Sequence, residues 1–263
     1  MKIIMSYKVQ YALCCACLFS FFTSCSPEIY NANSLNVPLL AQKGNAKIAL
    51  SSTFAREKGG GFLNNNLQGA YALSDHLGIM VNGMYHNYTR TYTPLFSTTQ
   101  TTNRHKEGFI EAGLGYYGHV GNNSKWRGEI YGGFGLGKSK ETNPNNQDAL
   151  TLESPYNRLF LQPSFGFVSK YFDAALSVRG SYLSVGQVNW VGNTLHGKTL
   201  KGTMWEPCLT IRAGKDRIKP FIQYAWLLHD DKLTPVVSFE GFLTRLFTLQ
   251  LGISLNLREV YPN

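Results

Sequence analysis

From Asn45 onward, apolar side chains alternate with polar or small ones in blocks of about ten residues separated by turn-forming stretches. The last block is the plainest. Phe247, Leu249, Leu251, Ile253, Leu255 and Leu257 take turns with Thr248, Gln250, Gly252, Ser254 and Asn256. A period of two places these sets on opposite faces of a strand, and the 3.6-residue period of a helix is absent from the same region. The pattern predicts ten strands, at 45–54, 66–74, 77–89, 106–118, 125–138, 157–168, 171–184, 203–213, 217–228 and 246–257, with 235–241 as a candidate extra piece. Connections alternate in length. SDH, GNNSK, the turn at Ser169 and Lys170, and GKDR are short, whereas 56–65, 90–105, 140–156, 185–202 and 229–244 are long. Short turns at one end, long loops at the other and an even strand count predict an all-β, antiparallel up-and-down transmembrane β-barrel of about ten strands, within a range of roughly eight to twelve.

The chemistry of the two faces orients the strands. In EIYGGFGLGK, Ile130, Gly132, Phe134 and Leu136 share one face, and Glu129, Tyr131, Gly133, Gly135 and Gly137 the other. A soluble barrel binding an apolar ligand, the architectural alternative, turns its apolar face inward and coats its exterior with Lys and Glu. Here the polar face is mostly Gly, Ser, Thr and Asn, which suits the crowded inside of a narrow barrel, with the apolar face turned to lipid. That orientation assigns Lys47, Glu111, Arg127, Glu129, Arg158, Asp173, Arg179, Glu206, Arg212 and Lys219 to a lumen network of both signs. Buried charges must be paired or solvated, so the network is expected to plug the lumen; a narrow small-solute channel is the alternative. On the apolar face Tyr116, Trp126 and Phe172 fall near the short turns, and Tyr85, Tyr182, Trp205 and Trp226 near the long loops. These form two candidate membrane-interface girdles.

The N-terminus adds a compartment. MKIIMSYK is weakly basic and is followed by an apolar run, Tyr11 to Phe22, too short to span a membrane comfortably, which reads as a secretory signal. FTSC, Phe22 to Cys25, resembles a bacterial lipobox, with Phe22 where that family usually has Leu. The resemblance implies cleavage before Cys25 and lipidation of its thiol; the rival is ordinary cleavage near Ser24. The expected organisation is a lipoprotein signal peptide at 1–24, an N-terminal tether at 25–44 and a barrel domain at 45–263. The chain carries 25 Lys and Arg against 16 Asp and Glu; the signal holds Lys2 and Lys8, which leaves 23 against 16 in the mature protein. A basic surplus suits anionic lipid headgroups or lipopolysaccharide. Scattered basic residues without a recognition helix, in an exported chain, exclude nucleic acid.

Two motifs invite a nucleotide and fail on context. GGFGLGKS, Gly132 to Ser139, fits the phosphate-loop pattern, yet KETNPNNQDAL follows it without a helix start. GLGYYG, Gly113 to Gly118, fits a dinucleotide fingerprint but lies on an alternating strand. Neither a nucleotide nor another cofactor is expected.

NVPLLAQKGNAKIALS, LQGAYALSDHLGIMVNG and EAGLGYYGHVGNNSKWRGEIYGGFGLGKS resemble outer-membrane β-barrel lipoproteins of Bacteroidetes and, more distantly, small OmpA- or OmpX-type barrels. The resemblance covers most of the mature chain. It implies an outer-membrane location in a Gram-negative cell envelope and carries no catalytic motif. The terminal Phe common in last strands of such barrels is missing from LREVYPN.

Other chemistry is sparse. A lipid-modifying enzyme needs a nucleophile and a base; His86 and His105 with Ser181 or Ser184 are the candidates, and no spacing makes them converge. His229, Asp230 and Asp231 form a weak metal signal without a second ligand group, and no metal is expected. The Thr-rich segment 89–105 and the basic loop 190–201 offer surfaces for a polysaccharide or protein partner. The expected function is therefore structural or surface-interacting and not enzymatic.

Overall fold

The computed structural model describes residues 30–57, 60–92, 100–121, 125–142, 152–186, 197, 199–215, 217–233 and 247–257. Strands β1 (Ala46–Glu57), β2 (Gly60–Ala72), β3 (Leu77–Tyr92), β4 (Thr101–His119), β5 (Trp126–Thr142), β6 (Leu152–Val168), β7 (Phe172–Val185), β8 (Leu200–Ala213) and β9 (Ile218–Trp226) pair in sequence order, all antiparallel. The two-residue β10 (Leu228–His229) continues β9 past Leu227, pairing with β8 in the same register. The last strand, β11 (Phe247–Asn256), inserts between β9 and β1, with Gln250 facing Gln223 and Leu50 facing Ile253. The sheet thus closes on itself as a ten-stranded barrel, and no edge is left unpaired in the ring.

Alternation decides which way each strand turns. Ile110, Leu114, Ile130, Phe134, Leu136, Leu159, Leu251 and Ile253 are exposed on the outside, while Gln68, Asn82, Gln162, Gln223 and Gln250 are buried inside. The exterior is therefore apolar, as a membrane barrel requires, and a soluble barrel with the opposite polarity does not fit. On β5 the outward apolar stretch runs from Trp126 to Leu136; at ~3.3 Å per residue and a tilt of ~40°, it spans ~25 Å, the height of a hydrocarbon band. Tyr85, Tyr116, Trp126, Phe172, Tyr182, Trp205 and Trp226 all point outward, near the two ends of this band.

Strand bounds differ from the sequence expectation mainly at the long-loop end. The β3–β4 ladder continues to the pair Tyr92 and Thr101, and β5 and β6 stay paired as far as Glu141 and Leu152. Above the lipid level both faces are polar, so the ladder goes on without an alternation to announce it. Asn103 donating to Glu141 at 2.8 Å and the Thr91–Thr102 hydroxyl contact at 3.2 Å belong to this extension. The long loop expected at 56–65 is also corrected: β1 and β2 remain paired up to Glu57 and Gly60, around a glycine-rich connection. The candidate strand at 235–241, the signal peptide and Cys25 lie outside the described residues.

Candidate functional site in the barrel lumen

Residues 25–44 were expected to form a tether. Over Tyr30–Leu40 the chain instead runs extended through the lumen, with Asn33, Ser34, Leu35, Asn36, Val37, Leu39 and Leu40 all buried. Tyr30 lies at the long-loop end, among Met84, Phe109, Tyr156, Leu183, Val185 and Met204. Leu39 and Leu40 lie at the short-turn end, near Val168 and Tyr117, from which the chain turns at Gly44 into β1. The physical reason is space. Leu35, Val37 and Leu39 pack against Ala175, Cys208 and Ala225, whose small side chains leave the axis open. Burying each apolar side chain is worth roughly 1.5–3 kcal/mol.

A strand inside a closed barrel has no neighbour for its ladder, so its peptide groups must be satisfied by side chains. Gln223 does this twice for Leu35, accepting from its N–H at 2.8 Å and donating to its carbonyl at 2.9 Å. Asn66 accepts from Ser34 N–H at 3.1 Å, Gln68 donates to the Ser34 carbonyl at 3.0 Å, and Gln162 donates to the Asn36 carbonyl at 2.6 Å. Leu39 sits at φ 49°, a left-handed conformation that costs a non-glycine residue of order 1–2 kcal/mol. Glu129 accepts from its N–H at 2.8 Å and Arg127 donates to its carbonyl, so the wall holds the peptide groups on both sides of Leu39.

All ten residues assigned to the lumen network face inward, none more than 6 % exposed. They form two groups. At the long-loop end Arg179 grips Glu206 with two bonds, 2.6 and 2.7 Å, and approaches Glu111 at 3.4 Å. Glu111 also pairs with Arg158 and accepts from Asn82 at 2.6 Å and from Asn33 of the threaded segment at 3.0 Å. Arg158 donates to the Tyr30 hydroxyl and to Asn33 Oδ1 at 2.8 Å, with its guanidinium 4.7 Å from the Phe109 ring centre. Glu107, which the sequence reading left out of the network, accepts from Tyr156 and from Asn31. At the short-turn end Lys219 pairs with Asp173 at 2.7 Å, and Arg212 donates to the Val37 carbonyl. Lys47 is buried on the inner face of β1.

GGFGLGKS finds its role in this geometry. Gly133, Gly135 and Gly137 point inward on β5, where a Cβ would collide with the rings of Phe160, Phe109 and Tyr156 respectively. The bare backbone admits the three aromatics that line the threaded segment. Of the enzyme candidates, His86 and His105 are buried at the long-loop end with ring centres 5.5 Å apart, Ser181 is buried on the inner face of β7 and Ser184 is half-buried on its outer face. Among the described residues no group of three His, Cys, Asp or Glu could hold a metal ion. His229 is in β10, with its ring near the Asp230 carbonyl.

No protein-family model matches the chain, and no curated protein matches its sequence. Among solved structures the chain is similar to the translocator domain of the autotransporter NalP from Neisseria meningitidis. That match has 10 % identity over 94 % of this chain and 95 % of the other, with a TM-score of 0.45. Nothing about activity or partners follows from it.

Proposed function

We propose that this chain is an outer-membrane β-barrel lipoprotein of a Gram-negative bacterium, lipid-anchored at Cys25, with a closed lumen. Its role is structural or surface-interacting, without enzymatic activity. The observation that carries the reading is the combination of an apolar exterior with a lumen filled along its length by the segment from Tyr30 to Leu40. The threaded segment occupies the cross-section that the small inward side chains of the wall leave open. The partner surface is then the long-loop end, where loops on a rigid barrel can engage polysaccharide or protein. Tyr30 is at that same end, and Cys25 precedes it by five residues, a reach of at most roughly 17 Å. Lipid anchor and long loops therefore belong to the same side of the membrane.

Three measurements test this reading. The unboiled protein from washed outer membranes should migrate faster on a denaturing gel than the boiled one; an unshifted protein in the wash removes the membrane-barrel reading. In planar bilayers the native chain should be electrically silent, and a variant lacking 30–42 should conduct. Steady conductance by the native chain would make it a narrow channel. Radiolabelled palmitate should enter the native chain and not Cys25→Ser, and equal labelling of both would remove the anchor.

A further inference from the structure

The ladder registers place a cationic cluster directly beyond the apolar band on two strands. Reading across the outer face, the apolar row Leu50, Leu67, Gly83, Ile110 and Leu136 is continuous through four strand pairs. The next outward row is Ser52, Asn65, Tyr85, Gly108 and Lys138, and the one above brings Lys106 opposite Lys140. Arg104 stands two residues further along β4. Arg104, Lys106, Lys138 and Lys140 are all exposed. Like charges directly opposite one another in a sheet are destabilising, so the Lys106–Lys140 pair works against the fold unless an anion offsets it. Glu153, opposite Lys140, forms its ion pair with Lys138 at 2.6 Å, leaving a net excess of three positive charges in the group. On β7 the outward residue beyond Tyr182 is Ser184, and on β8 it is Thr203 beyond Trp205, with a single exposed cation, Lys201, after it.

A groove lies beside this cluster. It has a volume of about 600 Å³ and is lined on its outer rows by Leu50, Leu67, Gly83, Tyr85 and Ile110. A Cβ on Gly83 would meet nothing within 4 Å, and the same holds for Gly108, between Tyr85 and Lys138. Two missing side chains thus join an apolar trough on β1–β4 to the cations on β4 and β5. At the trough's upper rim Ser52 donates to Asn65 at 2.7 Å, a polar pair on an otherwise apolar face.

We propose that this surface holds one anionic, phosphate-bearing membrane lipid, its headgroup on Arg104, Lys106, Lys138 and Lys140 and an acyl chain in the trough floored by Gly83. Charge complementarity supplies the headgroup, and the trough distinguishes a lipid from a free anion. The proposal rests on the membrane-barrel reading above. In the test, the folded full-length protein in neutral detergent is mixed with dimyristoyl phosphatidylglycerol or dimyristoyl phosphatidylcholine, and bound lipid is counted by native mass spectrometry. The native chain should retain phosphatidylglycerol over phosphatidylcholine. In K106Q/K140Q retention should fall by about thirtyfold, from roughly 1 kcal/mol for each of the two cations. Gly83→Phe, which fills the trough, should lower retention while leaving all four cations in place. Equal retention of the two lipids by the native chain overturns the proposal, as does retention unchanged in both variants. Displacement by inorganic phosphate alone also overturns it, because the site would then be an anion site. Heat-dependent gel migration, run on each sample, reports separately on the barrel itself.

Discussion

The two ends of the lumen hold the same threaded segment by different means. Toward the long loops, Glu111, Arg158, Arg179 and Glu206 bond chiefly to one another, and the segment joins them mainly through the side chains of Tyr30 and Asn33, with Arg179 also donating to the Asn33 carbonyl at 3.1 Å. Toward the short turns, Arg127 and Arg212 are turned onto the segment's carbonyls at Leu39 and Val37, and Glu129 takes the Leu39 N–H. One end engages the segment's side chains in addition to its backbone; the charged groups of the other hold its backbone. The difference follows from charge balance. Glu111, Glu206, Arg158 and Arg179 cancel and can be buried as a set, with Glu107 beside them bonded to Tyr156 and Asn31, whereas Lys47, Arg127, Arg212 and Lys219 outnumber Glu129 and Asp173 and need carbonyl dipoles as further acceptors.

The strongest way to break this contrast is Arg158→Met. It strands Glu111 in the lumen without its closest cation, and losing one partner of a buried ion pair costs about 3–5 kcal/mol. Urea unfolding in lipid vesicles, followed by the gel-migration shift, measures it. The double variant E111Q/R158M should cost clearly less than the single one, since no uncompensated charge remains. A cost equal to or above that of the single change would mean that the two side chains matter for packing and not for charge.

Next in size is Arg212→Met at the other end. The charged hydrogen bond to the Val37 carbonyl is lost, while Glu129 keeps Lys47 and Arg127 as neighbouring cations, so about 1.5–3 kcal/mol is expected in the same assay. If Arg212→Met cost as much as Arg158→Met, the two ends would not differ in kind.

The wall was legible in the sequence and the threaded segment was not. Ten strands, the orientation of their faces and the inward charges all follow from a period of two, because each outward residue meets the same medium whatever its strand. The segment YNANSLNVPLLAQ has no such uniform environment. Leu35, Val37 and Leu39 do alternate, but their partners, Ala175, Cys208 and Ala225, come from β7, β8 and β9 and are assembled only by closure of the ring. The available signal was subtractive: small residues recurring on inward faces, at Ala70, Ala175, Cys208 and Ala225, leave a lumen with more room than its own side chains fill. Glu107 was missed because it belongs to the part of β4 where the polar ladder continues beyond the apolar band.

The glycine stripe of β5 tests the same subtractive logic from the wall side. Gly135→Val would drive a side chain into the Phe109 ring, on which Arg158 rests. Overpacking of this sort costs about 1–3 kcal/mol, and the variant should lose stability at the long-loop end while the Arg212 contact is unaffected. Gly132→Val is the control. Its Cβ would meet nothing closer than 3.7 Å on the outer face, and it should be tolerated. Equal losses from the two would mean that backbone flexibility, and not room for the rings, selects glycine on this strand.

The smallest effect is expected where an ion pair stands outside the barrel. Lys138 and Glu153 approach as closely, at 2.6 Å, as Arg179 and Glu206 do inside, yet their side chains are 61 % and 39 % exposed. Water and salt already solvate both charges, so Glu153→Gln should leave the unfolding midpoint unchanged within error. The geometry is alike in the two pairs and the surroundings are not. A shift comparable with that of Arg158→Met would mean that distance governs these pairs, whereas no shift places the cause in burial and in the segment that keeps water out.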